Sequence, residues 1–382
     1  MRYLHWKWTT AALAGLALTA TTAGPAAASS PSATSSDPVV GHVYVDGNTA
    51  GANTVDAFAR HADGTLTPLP GSPFAAGGAG TGATIPSQGS TALTSNGRYL
   101  LVVDAASNQI SVLRVHPDGS LSLRSVTGSG GTDPVSIAIH GHLVYIANAG
   151  NERPNYTGFW LRHGKLTAID GSTVRLPDAS QPGQVLFNST GTNLVGVRVA
   201  SSLIDSFSVG SGGRLTAAGG SPFAAQGPGP FGSSFRPTNP AQLFVSNAHG
   251  GAGNGTVSAF NVATDGALNS IGTSPFPDHQ TAPCWVAITP SGAFLFTVNT
   301  ASGSVSRYRI AADGSLTLLG SVSVGATSGP LDLAISPDGR ALYVLLSATH
   351  SLAEFSLSHD DLAPLGTAAL PSGATGAGLQ AN

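Results

Sequence analysis

Short apolar runs alternate along the chain with runs in which polar and apolar residues interleave. YLLVVD (99–104) and FLFTVN (294–299) are examples of the first kind, and SVSRYRI (304–310) is one of the second. Their content of β-branched and aromatic residues is typical of β-strands. Turn residues precede them, such as SNG at 95–97, in which Gly supplies the backbone freedom that a tight hairpin needs. The pattern predicts a protein built from antiparallel hairpins.

The order of these runs repeats. A strand signal of the type P-x-x-x-A-I begins at Pro134, Pro283 and Pro330, with weaker copies at Gln88, Pro182 and Pro230. Successive copies are 46 to 53 residues apart, the length of a four-stranded propeller blade. Third strands recur seven times, starting near residues 53, 108, 155, 202, 255, 303 and 350.

The two ends of the chain share one repeat. The first copy starts directly with a second strand at 41–47, and TGAGLQAN at 375–382 occupies the register of a first strand. We therefore predict an all-β, seven-bladed β-propeller with four-stranded blades, forming one domain over 41–382. The strand 375–382 joins the N-terminal blade and closes the ring, which removes the largest open sheet edge. An elongated β-solenoid is the alternative that this split of one blade argues against.

The N-terminus has the features of a secretory signal. Arg2 and Lys7 precede the apolar stretch 11–20, and small residues follow up to Ala28. We expect a signal peptide over 1–28, cleaved after about Ala28, and a Ser/Pro-rich linker over 29–40. The alternative is an N-terminal membrane anchor that is never cleaved. The expected location is secreted or extracellular, without stable membrane insertion after cleavage.

Charge is scarce, at 9% of residues against 41% hydrophobic. Removing 1–28 leaves 14 basic and 19 acidic residues, a formal charge of −5. No run of Lys or Arg remains, which argues against nucleic acid as a partner. Cys284 is the single cysteine, so no intramolecular disulfide can form, and its apolar surroundings favour a buried thiol. We expect a monomer whose partner is a small molecule, a glycan or an extracellular protein.

A propeller places two sets of loops at one mouth of its central channel: those between second and third strands, and those entering the next blade. These loops differ between the copies, and variable loops on a rigid scaffold commonly carry function. Trp285 and Phe231 are predicted to form the floor of a pocket there. The ligand-binding candidates are Gln88, Asp104, Asn148, Arg153, Gln184, Arg198, Phe231, His249, His279, Trp285 and Asn299.

Asp332 is the candidate catalytic residue. It is a carboxylate within the otherwise apolar PLDLAI, at the channel end of a first strand. Burial would raise its pKa and suit acid–base chemistry, and a hydrogen-bonded structural role is the alternative. Asp104, Asn148, Asn247 and Asn299 end second strands, where they cap the following turn or form an axial ring that binds Ca²⁺ or Mg²⁺ through oxygen. No cofactor is predicted.

The whole repeat, P-x-x-x-A-I-S-P-x-G-x-x-L-Y-V-x-N followed by S-x-x-V-S-x-[FY], resembles that of the seven-bladed β-propeller lactonases. Its best copies are 283–319 and 330–357, and FTVNTASGSVS (296–306) is similar to YVTN-type repeats. The resemblance covers about 41–382 and implies relatives that are 6-phosphogluconolactonases and carboxymuconate lactonising enzymes.

The Arg, His and Glu residues that the resemblance implies for the site are replaced in this sequence. The family's G-P-R-H, P-R-F and N-E positions read Gly229-Pro230-Phe231-Gly232, Pro283-Cys284-Trp285 and Asn247-Ala248. Two function classes follow. One is a binding protein for a polar sugar-like or lactone-like ligand or an extracellular partner. The other is an active lactone hydrolase, or a lactonising isomerase, with a rearranged site.

Overall fold

The computed structural model describes residues 37–382, which form seven antiparallel sheets, or blades, numbered here in chain order. The predicted signal peptide (1–28) and all but the last four residues of the predicted linker (29–40) lie outside the described residues. Blade 1 contains β1 (Val39–Asp46), β2 (Thr54–His61), β3 (Leu66–Pro68) and β4 (Phe74–Ala75). Blade 2 contains β5 (Thr91–Leu93), β6 (Tyr99–Asp104), β7 (Gln109–Val115) and β8 (Leu121–Gly128), with a 3₁₀ turn at Ala105–Ser107.

Blades 3, 4 and 5 have a fourth strand in two pieces. Blade 3 contains β9 (Pro134–His140), β10 (Leu143–Asn148), β11 (Asn155–Arg162), β12 (Lys165–Ala168) and β13 (Val174–Arg175). Blade 4 contains β14 (Pro182–Phe187), β15 (Asn193–Arg198), β16 (Leu203–Val209), β17 (Leu215–Ala217) and β18 (Phe223–Ala224). Blade 5 contains β19 (Pro230–Arg236), β20 (Asn239–Asn247), β21 (Thr256–Val262), β22 (Leu268–Ser270) and β23 (Phe276–Pro277).

The last two blades have four strands each. Blade 6 contains β24 (Pro283–Ile288), β25 (Phe294–Asn299), β26 (Ser304–Ile310) and β27 (Leu316–Ser323). Blade 7 contains β28 (Pro330–Ile335), β29 (Ala341–Leu346), β30 (Ser351–Ser358) and β31 (Asp361–Ala369). The final strand, β32 (Gly378–Ala381), belongs to blade 1.

The ring closes as the sequence predicts. β32 pairs antiparallel with β1, from Val43 opposite Ala381 to Asp46 opposite Gly378. β32 also packs against β28 of blade 7 and β5 of blade 2. The seven innermost strands, β32, β5, β9, β14, β19, β24 and β28, thus contact one another in a closed circle. The predicted seven-bladed propeller is confirmed.

Side chains at the third position of the innermost strands hydrogen-bond the next blade. Ser136 Oγ accepts the Val185 N–H at 3.1 Å, and Gln184 accepts a hydrogen bond from the Ser233 N–H. These contacts place polar side chains in the ring of first strands and satisfy backbone groups that neighbouring blades leave unpaired.

The turns on the face opposite the mouth, called the turn face here, also join blades. Second-strand tyrosines donate from their hydroxyls to carbonyls of Gly residues in adjacent Asp-Gly or Gly-Gly turns: Tyr44 to Gly119 at 3.0 Å, Tyr145 to Gly213 at 2.7 Å and Tyr343 to Gly64 at 2.9 Å. The aspartates in these turns accept hydrogen bonds from residues two positions later, as Asp313 does from Ser315 N–H at 2.9 Å. The Asp-Gly turns therefore have a structural role, because their backbone and side-chain groups bond within the turn and to the neighbouring blade.

The recurring S-P-F motifs form the outer edges of blades 1, 4 and 5. Ser72, Ser221 and Ser274 each precede a cis proline, and their hydroxyls accept backbone N–H groups of the third strands. The following Phe residues lie in β4, β18 and β23. Within residues 37–382 no helical segment has the length and hydropathy of a membrane span.

Candidate functional site

The central channel is crossed by residues 85–88, called the axial segment here. It precedes β5 in blade 2, and its Ser87 hydroxyl donates to the Val135 carbonyl of blade 3 at 2.6 Å. The Gln88 N–H donates to the Gly183 carbonyl of blade 4 at 3.0 Å. Because these partners lie on the innermost strands of different blades, the segment must lie across the channel. Ile85 is buried within the molecule.

Gln88 reaches furthest across the axis. Its side-chain amide donates from Nε2 to the Val286 carbonyl at 2.8 Å and accepts the Val286 N–H on Oε1 at 3.0 Å. Val286 is in blade 6, which does not adjoin blade 2 in the ring. Gln88 therefore satisfies both backbone groups of a residue on the far wall of the channel.

Gly232 makes room for this contact. It holds the third position of β19, where Ser136 and Gln184 carry side chains in blades 3 and 4. A Cβ at Gly232 would lie 2.2 Å from Gln88 Oε1 and 2.4 Å from the Cys284 carbonyl oxygen. The Gln88 side chain from blade 2 thus occupies the space that a side chain at Gly232 of blade 5 would fill.

Trp285 and Phe231 lie together beside the axial segment. Their rings pack edge to face with centroids 5.0 Å apart, and both residues are buried. The Trp285 indole N–H donates to the Ser87 carbonyl at 2.9 Å. The two predicted floor residues are adjacent, and the axial segment uses the polar atom of Trp285.

Asp332 is buried between β28 and β32. Its Oδ1 accepts the Leu333 N–H at 2.8 Å, and its Oδ2 accepts the Leu379 N–H at 2.9 Å. Burial raises the pKa of Asp332 to about 7, although both hydrogen bonds act to lower it. The carboxylate links blade 7 to the strand that closes the ring.

The residues that end second strands are hydrogen-bonded to the third strands of their blades, and Asp104 also accepts from Asn53 Nδ2 of blade 1 at 3.1 Å. Each bonds a side chain on the adjoining third strand: Asp104 with Ser111, Asn148 with Asn155, Asn247 with Ser258 and Asn299 with Ser306. They are therefore tied to four separate hairpins. Among residues 37–382, no group of three or more His, Cys, Asp or Glu side chains is placed to hold a metal ion.

Arg198 and Gln184 are likewise engaged. Arg198 forms a bidentate, buried ion pair with Asp205, with Nε 2.7 Å from Oδ2, and Tyr156 donates its hydroxyl to the same carboxylate at 3.1 Å. Gln184 binds the backbone and the hydroxyl of Ser233. The cationic side chain expected at the mouth is thus neutralised inside blade 4.

Three of the predicted residues are exposed at the mouth: Arg153, His249 and His279. The loops that carry the two histidines are joined, since Gly255 N–H donates to the Gln280 carbonyl at 2.9 Å. His279 has a left-handed backbone with φ of 58°. Arg153 lies in the loop of blade 3, which the ring separates from blade 5. The structure therefore gathers Gln88, Phe231 and Trp285 at the axis and leaves three polar residues around the rim.

Two adjoining cavities lie on the turn face, where no site residue was predicted. One of ≈ 530 Å³ lies between blades 2 and 3, and another of ≈ 370 Å³ lies between blades 1 and 2. Arg98 and Tyr99 line both. The first cavity combines turns near residues 95, 142 and 163, so only their tertiary proximity reveals it.

Comparisons with known proteins agree with this architecture. The family model of the seven-bladed β-propeller lactonases matches residues 192–332, little more than a third of the chain. A comparison with curated protein sequences gives no match.

Solved structures match over most of the chain. A candidate 6-phosphogluconolactonase from Bacteroides fragilis has a TM-score of 0.73 at 19% identity, covering 92% of this chain and 100% of that one. The periplasmic gluconolactonase of Pseudomonas aeruginosa has a TM-score of 0.70 at 18% identity, covering 89% and 98%. At these identities the likeness concerns the fold.

Together these observations define a lactonase-like seven-bladed β-propeller. The resemblance read from the repeats, to the seven-bladed propeller lactonases, is confirmed.

Proposed function

We propose that this protein is a secreted, lactonase-like propeller that binds a small polar, uncharged ligand at its mouth and does not hydrolyse lactones. The ligand is sugar-like or lactone-like in chemistry. The rim residues His249, His279 and Arg153 supply the polar contacts. The buried pair Phe231 and Trp285 supports the axial segment beneath them.

This proposal rests on one observation: the acid–base candidate Asp332 and the cationic candidate Arg198 are both held in structural contacts. Opening a lactone requires an activated water and stabilisation of a developing oxyanion. Both oxygens of Asp332 accept backbone N–H groups, and the Arg198 guanidinium is paired with Asp205. Neither side chain is available to a substrate without breaking a contact between strands.

The binding of a ligand at the rim is supported by the exposure of its polar side chains. His279 is held in a left-handed conformation, and its loop is hydrogen-bonded to the loop that carries His249. Preorganised loops lose less conformational entropy when a ligand binds. The low charge of the chain favours a neutral ligand at this face.

Lactone hydrolysis is the second candidate, because the lactonase family model matches residues 192–332. The similar solved structures also include a gluconolactonase. In this alternative Asp332 acts as the acid–base group after the axial segment or β32 is displaced.

Hydrolysis of a panel of lactones by the purified protein distinguishes the two candidates. We expect pH-stat traces for 6-phosphogluconolactone, gluconolactone and muconolactone to equal spontaneous hydrolysis. Turnover above background that Asp332→Asn abolishes would establish the enzyme and overturn the proposal. Turnover that survives Asp332→Asn would overturn it equally and would place the chemistry elsewhere.

Ligand binding is tested separately with a panel of neutral sugars and unreactive lactone analogues, by calorimetric titration. We expect a member of the panel to bind, and His279→Ala to weaken that binding about tenfold, the effect of losing one good hydrogen bond in a desolvated site. The matched control is His359→Ala, a histidine on the turn face that also has a left-handed backbone. Equal loss in both variants would contradict a site at the rim.

A further inference from the structure

The larger turn-face cavity, called the turn-face cleft here, has the form of a ligand site. It is bounded by the β5–β6 turn with Arg98, by the β9–β10 turn with His142, and by the end of β11 with Arg162 and His163. Its volume of ≈ 530 Å³ lies within the range of small-molecule sites. It belongs to the face opposite the mouth and is independent of the function proposed above.

The charge of the turn-face cleft is of one sign. Arg98 and Arg162 are exposed in it, His142 and His163 flank them, and its lining contains no Asp or Glu. Within residues 37–382, neither arginine forms an ion pair or a side-chain hydrogen bond. The adjoining cavity adds Arg114. A chain with a negative net charge thus concentrates unpaired cations at one seam between blades.

The groups around Arg98 are held in place. Asn96 Oδ1 accepts both the Arg98 N–H at 3.1 Å and the Thr94 hydroxyl at 2.9 Å, which fixes the turn. The guanidinium carbon of Arg98 lies 6.0 Å from the centroid of the Tyr99 ring, within reach of a cation–π contact. On the other wall, His142 Nδ1 donates to the Leu161 carbonyl at 3.1 Å, which fixes the tautomer of that imidazole.

We propose that the turn-face cleft binds the oxyanion of a small hydroxylated ligand, a carboxylate or a phosphate on a sugar-sized molecule. The planar guanidinium groups of Arg98 and Arg162 suit bidentate contacts with either group. The exposed Ser95 hydroxyl and the Asn96 Nδ2 amide group provide hydrogen bonds for the neutral part of the ligand. Because the cavity lining contains no Asp or Glu, no negative side chain there would repel such an anion.

Calorimetric titration of the full protein with four probes tests this proposal. The probes are glucuronate, glucose 6-phosphate, inorganic phosphate and, as the neutral reference, glucose. We expect at least one anionic probe to bind and glucose not to bind. Raising the NaCl concentration from about 50 mM to about 300 mM should weaken binding several-fold, because salt screens exposed charges.

Substitutions locate the site. Arg98→Gln and Arg162→Gln should each weaken binding of the anionic probe about tenfold, in line with the loss of one charge-assisted hydrogen bond. The matched control is Arg309→Gln, an exposed arginine of blade 6 outside both cavities whose loss changes the net charge equally. We expect the control to bind as the unmodified protein does.

The outcomes separate the sources of the anion. If the sugar anions bind and inorganic phosphate does not, the cleft recognises both the charge and the hydroxyl groups of its ligand, which supports the proposal. Equal binding of inorganic phosphate supports the shared oxyanion chemistry and indicates free phosphate as the ligand. Failure of all three anions to bind, equal binding of glucose, or an equal loss in Arg309→Gln would overturn the proposal. None of these results bears on the mouth.

Discussion

Gly232 shows how one residue sets the form of the channel. The Gln88 amide occupies the space where the side chain of Gly232 would be and pairs with both backbone groups of Val286. Buried backbone groups without partners cost about 1–3 kcal/mol each. The glycine and the glutamine therefore act as a pair, although 144 positions separate them in the chain.

Gly232→Ala should lower the free energy of unfolding by about 1–3 kcal/mol, because the added methyl overlaps Gln88 and the Cys284 carbonyl. Urea denaturation followed by circular dichroism measures this change. Gly128→Ala is the control, since nothing lies within 4 Å of its added Cβ, and we expect a change of at most about 0.5 kcal/mol. Equal effects in the two variants would show that the axial segment does not occupy the channel.

At the scale of an element, β32 decides whether the seven blades form a ring. It supplies the first strand of blade 1, and its Leu379 is buried at the seam with blade 7. The Leu379 N–H donates to Asp332, so the closing strand is held by a carboxylate as well as by β1. Unpaired strand edges promote association between molecules, and this closure covers the edge of β1.

Leu379→Ala should cost about 2–5 kcal/mol of unfolding free energy, the range found when a buried leucine leaves a cavity. Thermal and urea unfolding provide the measurement. Gln380→Ala on the same strand is the comparison, because Gln380 is only half-buried and donates one long hydrogen bond to Thr91 O at 3.3 Å. A larger loss in Gln380→Ala than in Leu379→Ala would contradict the role assigned to the buried seam.

At the scale of the whole molecule, the carboxylates of the Asp-Gly turns and the buried carboxylates differ in the direction of their pKa shifts. Those in Asp-Gly turns are exposed, and hydrogen bonds lower the pKa of Asp118 and Asp313. Burial raises the pKa of Asp46, Asp332 and Glu354 to about 7 each. The propeller therefore carries several acids that are most compatible with the fold when they are protonated.

These buried acids should make the protein less stable at neutral than at acidic pH. Between about pH 4 and pH 7 the folded chain keeps protons that the unfolded chain has lost, so the unfolding free energy falls as pH rises through this interval. Partial desolvation of the imidazole rings lowers the pKa of His42 and of the surface residue His249, which acts in the opposite direction near neutrality. Because eight described carboxylates have a raised pKa and outweigh the two histidines, we expect a higher urea midpoint at about pH 5 than at about pH 7.5.

The variant Asp332→Asn isolates the contribution of Asp332 to the dependence of the unfolding free energy on pH. Its unfolding free energy, subtracted from that of the unmodified protein at each pH, isolates the titration of Asp332. This difference should change by up to about 4 kcal/mol between about pH 4 and pH 7, since one pKa unit corresponds to about 1.4 kcal/mol. A difference that is flat with pH would mean that Asp332 titrates normally and is not buried at the ring closure.

The sequence predicted the fold, whereas the hydrogen-bond partners of the candidate site residues became apparent only in the structure. The strand and turn patterns identified seven blades and the split of blade 1, because hairpins and their Asp-Gly turns depend on neighbouring residues. Arg198 was expected at the mouth from its place at the end of a second strand, but Asp205 on the adjoining strand binds it. The partner of a charged side chain depends on strand register and rotamer, which the pattern of residue types does not specify.

The sequence by itself determined the number of blades, the pairing of the two chain ends and the positions of the turns. These features follow from local periodicity and from the backbone preferences of Gly, Asp and Pro. The tertiary structure decided that residues 85–88 cross the channel, that Asp332 holds β32, and that Arg98 and Arg162 line one cleft. Each of these depends on contacts between residues far apart in the chain, which closing the ring brings together.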